Sequence, residues 1–322
     1  MAVCVNNACG ELMLKNTDSE DTMTSAILIF VIILLYTLQS FLCKLYTDRY
    51  PGKSSLASSI FTVVSGCIIA LISLAFAGFR LTVEPMTVFF GVLNAVILYG
   101  YNICMAKASQ TGSYSILMVF MIAGGIVIPG IVAFFAFGDA LSVWQILSML
   151  VIFVSVYLVS YKKDENAAQV SGGKAMKLIF FLSCFGLALT NGLYGTLLDV
   201  QQRVTGVEQK GTMLITTFVS AVLISSVGML MRERRGFFRA FRQTGSSLFF
   251  LVLCSICAGL AINLLVLALP LINVTVLYTF DNSGVMLLSV LASCIFFKEK
   301  LSPLNTIGCI TMCAGLVGMT LL

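Results

Sequence analysis

The stretch FFAFGDALSVWQIL (residues 134–147) and the stretch CIFFKEKLSPLNTI (residues 294–307) lie 160 residues apart and share one punctuation. Phe137 aligns with Phe297, Asp139 with Glu299, Leu141 and Ser142 with Leu301 and Ser302, and Gln145 with Asn305. Each copy follows one long apolar run and precedes another. Matches among apolar residues come cheaply in a greasy chain. A match that also includes the acid, the Leu-Ser pair and the amide points to an internal duplication, which has to be recognised before single elements are read. Locally, Ser142 and Ser302 suit the N-cap of the helix that follows, and the acids lie near a positive helix N-terminus. Asp139 and Glu299 are therefore read as structural.

Around these copies the chain is close to continuous oil. Of its 322 residues 59% are hydrophobic and 10% charged, with a mean hydropathy of +1.03. A soluble domain carries about 25% charged residues, so lipid is the expected solvent. A membrane-crossing helix needs about 20 mostly apolar residues. Ten such runs occur, at roughly 24–45, 54–77, 85–107, 114–137, 141–161, 175–199, 211–231, 245–268, 271–297 and 303–322. The gaps are too short for a soluble domain. Unpaired backbone is not tolerated in hydrocarbon, so the runs mean helices.

The expected fold is an all-α polytopic membrane protein of ten transmembrane helices, built as two five-helix repeats at 24–161 and 175–322 with a linker at 162–174. Five is odd, so the second repeat enters the membrane inverted relative to the first, a plan common among secondary transporters. Residues 1–23 are polar, with four acids and one lysine, and read as a disordered tail and not a signal peptide.

Charge gives an orientation. Of 19 Lys and Arg residues, 15 fall in or beside the loops that follow odd-numbered helices; Lys15, Arg80, Arg203 and Lys210 fall on the other side. The positive-inside rule then puts the odd loops in the cytoplasm and both termini outside, in a multi-pass protein of the cell (inner) membrane. The segment RERRGFFRAFRQ (residues 232–243) is the strongest contributor and reads as a topology anchor, not a nucleic-acid or lipid-headgroup patch.

The same residues argue against several function classes. The chain has no histidine, one acid deep in any span and no phosphate loop in a strand–helix setting, so an enzyme is not expected. Nine of the eleven cysteines lie in or beside apolar runs, including Cys254 and Cys257 (CxxC) and Cys309 and Cys313; they read as small apolar filler, with no metal or other cofactor expected.

The deep acid is Asp281, within TVLYTFDNSGVMLLSVL (residues 275–291). A charge near the centre of a span costs about 3 kcal/mol on insertion scales, so it calls for a partner or a purpose. Tyr278, Asp281, Asn282 and Val285 fall at i, i+3, i+4 and i+7, one helix face, which turns away from lipid. Withdrawal from water favours a neutral carboxylic acid, so Asp281 is a candidate for proton coupling or for pairing a substrate amine. A carboxylate hydrogen-bonded within the bundle is the structural alternative.

Other polar groups inside spans are Gln39, Asn94, Tyr101, Asn102, Asn191, Tyr194 and Asn263. With Tyr278 and Asn282 they form the candidate substrate-binding set, which suits a polar, uncharged or zwitterionic ligand. Interhelical hydrogen bonding is the alternative for each asparagine. Asn94 and Tyr101 share one face of the third helix and Tyr99 and Asn102 another, so the two pairs are not expected to meet one cavity equally. Lys44, at the end of the first span, is expected to snorkel to the interface. The 160-residue shift also places Gly124 on Gly284, and Pro129 interrupts the fourth span; glycine- or proline-softened spans at matching positions point to a midplane site.

The segment FKEKLSPLNTIGCITMCAGLVGM (residues 297–319) resembles the close of an EamA-type repeat of the drug/metabolite transporter superfamily, through Glu299, Leu301, Ser302, Asn305, Ile307, Gly308 and Gly315. The first half departs from that pattern, with Asp139 in place of Glu and Ser148 in place of Gly. Helix number and duplication agree from about residue 24 to 322. The resemblance implies a secondary transporter that moves a small polar metabolite or drug by alternating access, with its cavity between the two halves. Proton-coupled export is one mode, and an uncoupled or antiporting carrier the alternative. Members are usually described with cytoplasmic termini, which the charge count here opposes. The expected partners are a small-molecule substrate and membrane lipid, not nucleic acid, in a monomer or homodimer.

Overall fold

The computed structural model describes residues 2–50, 54–79, 81–132, 135, 142–160, 174–206, 209–232, 247–268, 274–298 and 302–321. The helices are α1 (Ala2–Arg49), α2 (Ser54–Phe76), α3 (Pro85–Thr111), α4 (Tyr114–Val132), α5 (Val143–Ser160), α6 (Lys174–Thr205), α7 (Lys210–Arg232), α8 (Leu248–Ala268), α9 (Val274–Phe296) and α10 (Pro303–Leu321). No strand occurs among the described residues. Each expected span is occupied by one helix. The backbone of α1 continues N-terminally through the segment expected as a tail; its apolar part is Ser25–Arg49. Asp139, Glu299, most of the expected linker and most of the basic segment lie outside the described residues.

Among the described residues, six helices are long and apolar enough to cross a membrane: α1, α2, α3, α6, α7 and α8. Among the same residues, α4, α5 and α9 carry apolar stretches at Tyr114–Pro129, Ile146–Ser155 and Gly284–Phe296. At most half of any long apolar window is buried inside the bundle. Side chains such as Phe185 (65% exposed), Leu223 (61%) and Ile295 (67%) point outward. Such a surface is stable against hydrocarbon and not against water. The chain is a helical, membrane-embedded protein.

The helices pack in a definite pattern. α1 lies against α8 and α9, α2 against α7 and α8, and α3 against α6 and α7. α4 lies against α6 and α9, and α5 against α10. Small residues allow these approaches, as is usual where apolar helices gain nothing from leaving lipid and must associate by close packing. Gly315 and Gly318 of α10 lie against Ser148 of α5, where a methyl group on Gly318 would come 2.7 Å from the Ser148 Oγ.

The largest buried cluster centres on Tyr114, Leu117, Met118, Ile122, Phe180 and Met286. At one end of the bundle the hydroxyls of Ser115 (α4) and Ser293 (α9) share a hydrogen bond of 2.6 Å. Beside them the rings of Tyr114 and Phe297 meet at 5.6 Å, and Phe41 reaches Phe297 at 5.4 Å. Ser302 caps α10 as its position predicts: its Oγ accepts from the Asn305 backbone N–H at 3.2 Å, and its hydroxyl donates to the Asn305 side chain.

Candidate functional site

A cavity of about 250 Å³ lies within the bundle. One water needs roughly 10–15 Å³ on the same measure, so the space suits a small molecule. Eight helices line it: α1 to α4 from the N-terminal part of the chain and α6 to α9 from the C-terminal part. Among the described residues, α5 and α10 contribute nothing to its wall.

The wall is built from short stripes at helical spacing. α1 presents Tyr36, Gln39, Ser40 and Cys43, and α2 presents Phe61, Thr62, Ser65 and Ile69. α3 presents Leu98, Tyr101, Asn102 and Met105, and α6 presents Asn191, Tyr194, Gly195 and Leu198. α9 presents Asp281, Asn282 and Val285. Asp281, Asn282 and Val285, the i+3, i+4 and i+7 positions of that face, thus turn inward, away from lipid.

Of the sequence-derived candidates, Gln39, Tyr101, Asn102, Asn191, Tyr194, Asp281 and Asn282 come together here. The side chain of Tyr278 lies outside the described residues. Asn94 and Asn263 are buried but off the cavity wall. Asn263 bridges helices, its Nδ2 donating to Ser73 Oγ at 2.9 Å and to the Gly259 carbonyl at 2.7 Å. Asn94 lies where α3 is tightly packed, one turn from the contact of Gly91 with Thr216, and neither end of its amide has a hydrogen-bond partner. Tyr101 and Asn102 both reach the cavity, although their two faces were not expected to meet it equally; the cavity is wide enough to meet two adjacent positions of α3.

Several cavity residues went unnoticed in the sequence, chiefly Thr62 and Ser65. Their hydroxyls donate to carbonyls one turn back, Thr62 to Ser58 at 2.9 Å and Ser65 to Phe61 at 2.6 Å, which lets them pass as ordinary helix residues. The i, i+3 spacing of Thr62 and Ser65, after Ser58 and Ser59, is the signal that marks this face.

The polar contacts of the wall run mostly inward to the protein. Asn102 Nδ2 donates to Thr62 Oγ1 at 2.9 Å and Asn191 Nδ2 to the Met121 carbonyl at 2.9 Å. Tyr101 donates to Met121 Sδ at 3.1 Å, and the Cys254 thiol to the Gln39 carbonyl at 3.3 Å. Gly125 makes room for Asn191: a methyl group at Gly125 would come 2.5 Å from Asn191 Nδ2. Pro129, inside α4, lacks the N–H that would otherwise bond to the carbonyl of Gly125, another wall residue. Asp281 is 8% exposed, and its Oδ1 has no hydrogen-bond partner. No Lys or Arg stands among the described residues of the wall.

Lys44 does not snorkel. It is buried, donates to the Ser109 carbonyl at 2.6 Å and pairs with Asp48 at 3.3 Å. Ser109 lies in the last turn of α3, whose carbonyls form the negative end of the helix, so the ammonium acts as a cap there. This contact borders a separate polar hollow, with Gln110, Thr111 and Met176.

No protein-family model and no curated protein matches the chain. A solved structure described only as "Crystal structure of protein" superposes with a TM-score of 0.58 at 16% identity, over 93% of this chain and 97% of that one. At that identity the likeness concerns the fold alone.

Proposed function

We propose that the protein is an EamA-like secondary transporter of the drug/metabolite transporter superfamily, carrying a small polar metabolite or drug across the cell membrane by alternating access. The observation that carries this reading is the central cavity itself, with four helices from each half of the chain around a buried carboxylate. Carrier sites are typically found at the midplane, between repeats.

In this reading helices α1–α5 and α6–α10 are inverted repeats of each other. The packing pattern supports it, because the principal contacts between the halves come in mates. α1 on α8 has its mate in α6 on α3, α1 on α9 in α6 on α4, and α2 on α8 in α7 on α3. α2 on α7, α4 on α9 and α5 on α10 are their own mates. Two glycines 160 residues apart fit the same scheme: Gly124 of α4 lies against α6, and Gly284 of α9 against Ile33 of α1.

The odd-numbered loops face the cytoplasm and both termini face out. Asp281 is the proton-coupling group, and the polar groups around it bind the solute. An uncoupled or antiporting carrier is the second reading, favoured by one fact: Asp281 is the only acid among the described residues of the wall, with no second acid beside it to relay a proton.

The test is a thermal-shift screen of the purified chain against a metabolite library, followed by counterflow of each hit in proteoliposomes. Stabilising hits that exchange across the bilayer are expected. Hits that bind tightly and never cross would overturn the carrier reading.

A further inference from the structure

We propose that the cavity selects a small organic cation bearing N–H groups, such as a protonated amine, amidinium or guanidinium, over zwitterions and anions. This rests on the cavity being the carrier's binding site, and it narrows the ligand class beyond what the sequence implies.

The hydrogen-bonding ends of the wall that remain for a ligand are mostly acceptors. Asn191 gives its Nδ2 to the Met121 carbonyl. A carbonyl only accepts, so this contact orients the amide; it engages one of the two Nδ2 protons and leaves Oδ1 open as an acceptor. Thr62 spends its hydroxyl proton on the Ser58 carbonyl, so its Oγ1 accepts the Asn102 Nδ2. That leaves Asn102 Oδ1 as well. Ser65 spends its proton on the Phe61 carbonyl and Tyr101 on Met121 Sδ. Five groups from three helices therefore have donors already engaged within the protein: the three hydroxyls offer a ligand only oxygen, and each asparagine offers its Oδ1 beside one remaining N–H.

The charge balance points the same way. Asp281 brings a carboxylate whose Oδ1 is buried and unpartnered, and no Lys or Arg among the described wall residues answers it. A buried carboxylate left unpaired is costly, and a cation that donates hydrogen bonds to it removes that cost. The rings of Phe61, Tyr101 and Phe218 supply faces that also favour a cation. A zwitterion would bring a carboxylate of its own with no basic side chain to receive it. Lys44 is committed to Asp48 and Ser109 in the separate hollow. The donors left on the wall, on Gln39 and the second N–H of Asn102 and of Asn191, are neutral amides, which can meet a hydroxyl or ether on the ligand but bring no charge to balance a carboxylate.

A matched probe series tests this on the purified full chain in detergent. The series is 2-phenylethylamine, its N,N,N-trimethyl derivative, phenylalanine and 2-phenylethanol, with a second set on a butyl skeleton. We expect the primary ammonium compound of at least one set to raise Tm and bind best. Its trimethyl form, which lacks N–H donors, is expected to bind more weakly, and the zwitterion and alcohol weakest. In D281N the ammonium affinity should fall about tenfold or more, the scale of losing a charged hydrogen bond, while D281E retains part of it. Equal or stronger binding of the zwitterions or alcohols, no binding by either ammonium compound, or unchanged ammonium affinity in a folded D281N would overturn the proposal. If D281N does not fold, the wild-type series decides alone. Flux of a neutral or zwitterionic solute would keep the carrier and overturn this selectivity. Ammonium binding without flux would do the reverse.

Discussion

Gly124 of α4 rests directly on the backbone of Ala188 in α6, so closely that a methyl group on Gly124 would overlap the Ala188 carbonyl. Gly284 of α9 lies as close to α1, but there the neighbour is the side chain of Ile33, with the nearest methyl 2.6 Å from the added carbon. A side chain can rotate away and a helix backbone cannot. G124A should therefore destabilise by about 3 kcal/mol, the upper end of overpacking costs, and G284A by about 1 kcal/mol. Thermal unfolding of both variants in one detergent checks the ranking. Equal losses would refute the backbone argument.

Lys44 stands on Ser109 and Asp48, and the two partners differ in burial. The Asp48 side chain is 39% exposed, so water screens its share of the pair. The Ser109 carbonyl is a buried acceptor at the end of α3. K44M is expected to cost about 2 kcal/mol, the range of a charged hydrogen bond, and D48N less than about 1 kcal/mol. A chemical denaturation series on both variants measures this.

Asn263 and Asn102 separate stability from binding. Asn263 joins α8 to α2 away from the cavity, so N263A should lower stability by about 1 kcal/mol, as interhelical hydrogen bonds do, and leave ligand affinity unchanged. N102A removes a cavity oxygen and frees Thr62, so it should weaken ligand binding as well. Titration of any hit from the metabolite screen, alongside unfolding, distinguishes the two.

Proton coupling makes a directional forecast for Asp281. In proteoliposomes an imposed pH gradient should drive uphill solute accumulation by the wild type and not by D281N, while downhill exchange survives in the variant. If D281N responds to the gradient like the wild type, the coupling role fails and the uncoupled carrier stands.

The cap on α10 is the simplest case. S302A deletes the acceptor of the Asn305 N–H and should cost about 1 kcal/mol. It lies outside the cavity, so affinity should not change.

The positions of the helices were largely legible in the sequence, because lipid imposes one rule on every span: a run of about 20 apolar residues with satisfied backbone. The interior was legible only where a side chain is costly to bury. Asp281, Asn191 and Asn102 betray themselves because hydrocarbon offers them nothing. Thr62 and Ser65 do not, since each repays its own hydroxyl on the preceding turn. Asn94 and Asn263 look alike in sequence to Asn102, and only the packing of α3 on α7 and of α8 on α2 separates them from the cavity. Lys44 misled for a related reason. Its length suggests reach toward water, but a helix end in contact with α1 offered a nearer acceptor.

The pairing of α5 with α10 outside the cavity has a spectroscopic consequence. The one tryptophan of the chain, Trp144, lies on α5 and is 54% exposed on the outer surface. Native fluorescence will therefore track detergent or acyl chains and stay silent when a solute is captured. Replacing Phe61 or Phe218, both on the cavity wall, with an indole would give occupancy an optical readout, with Trp144 exchanged for phenylalanine to darken the background.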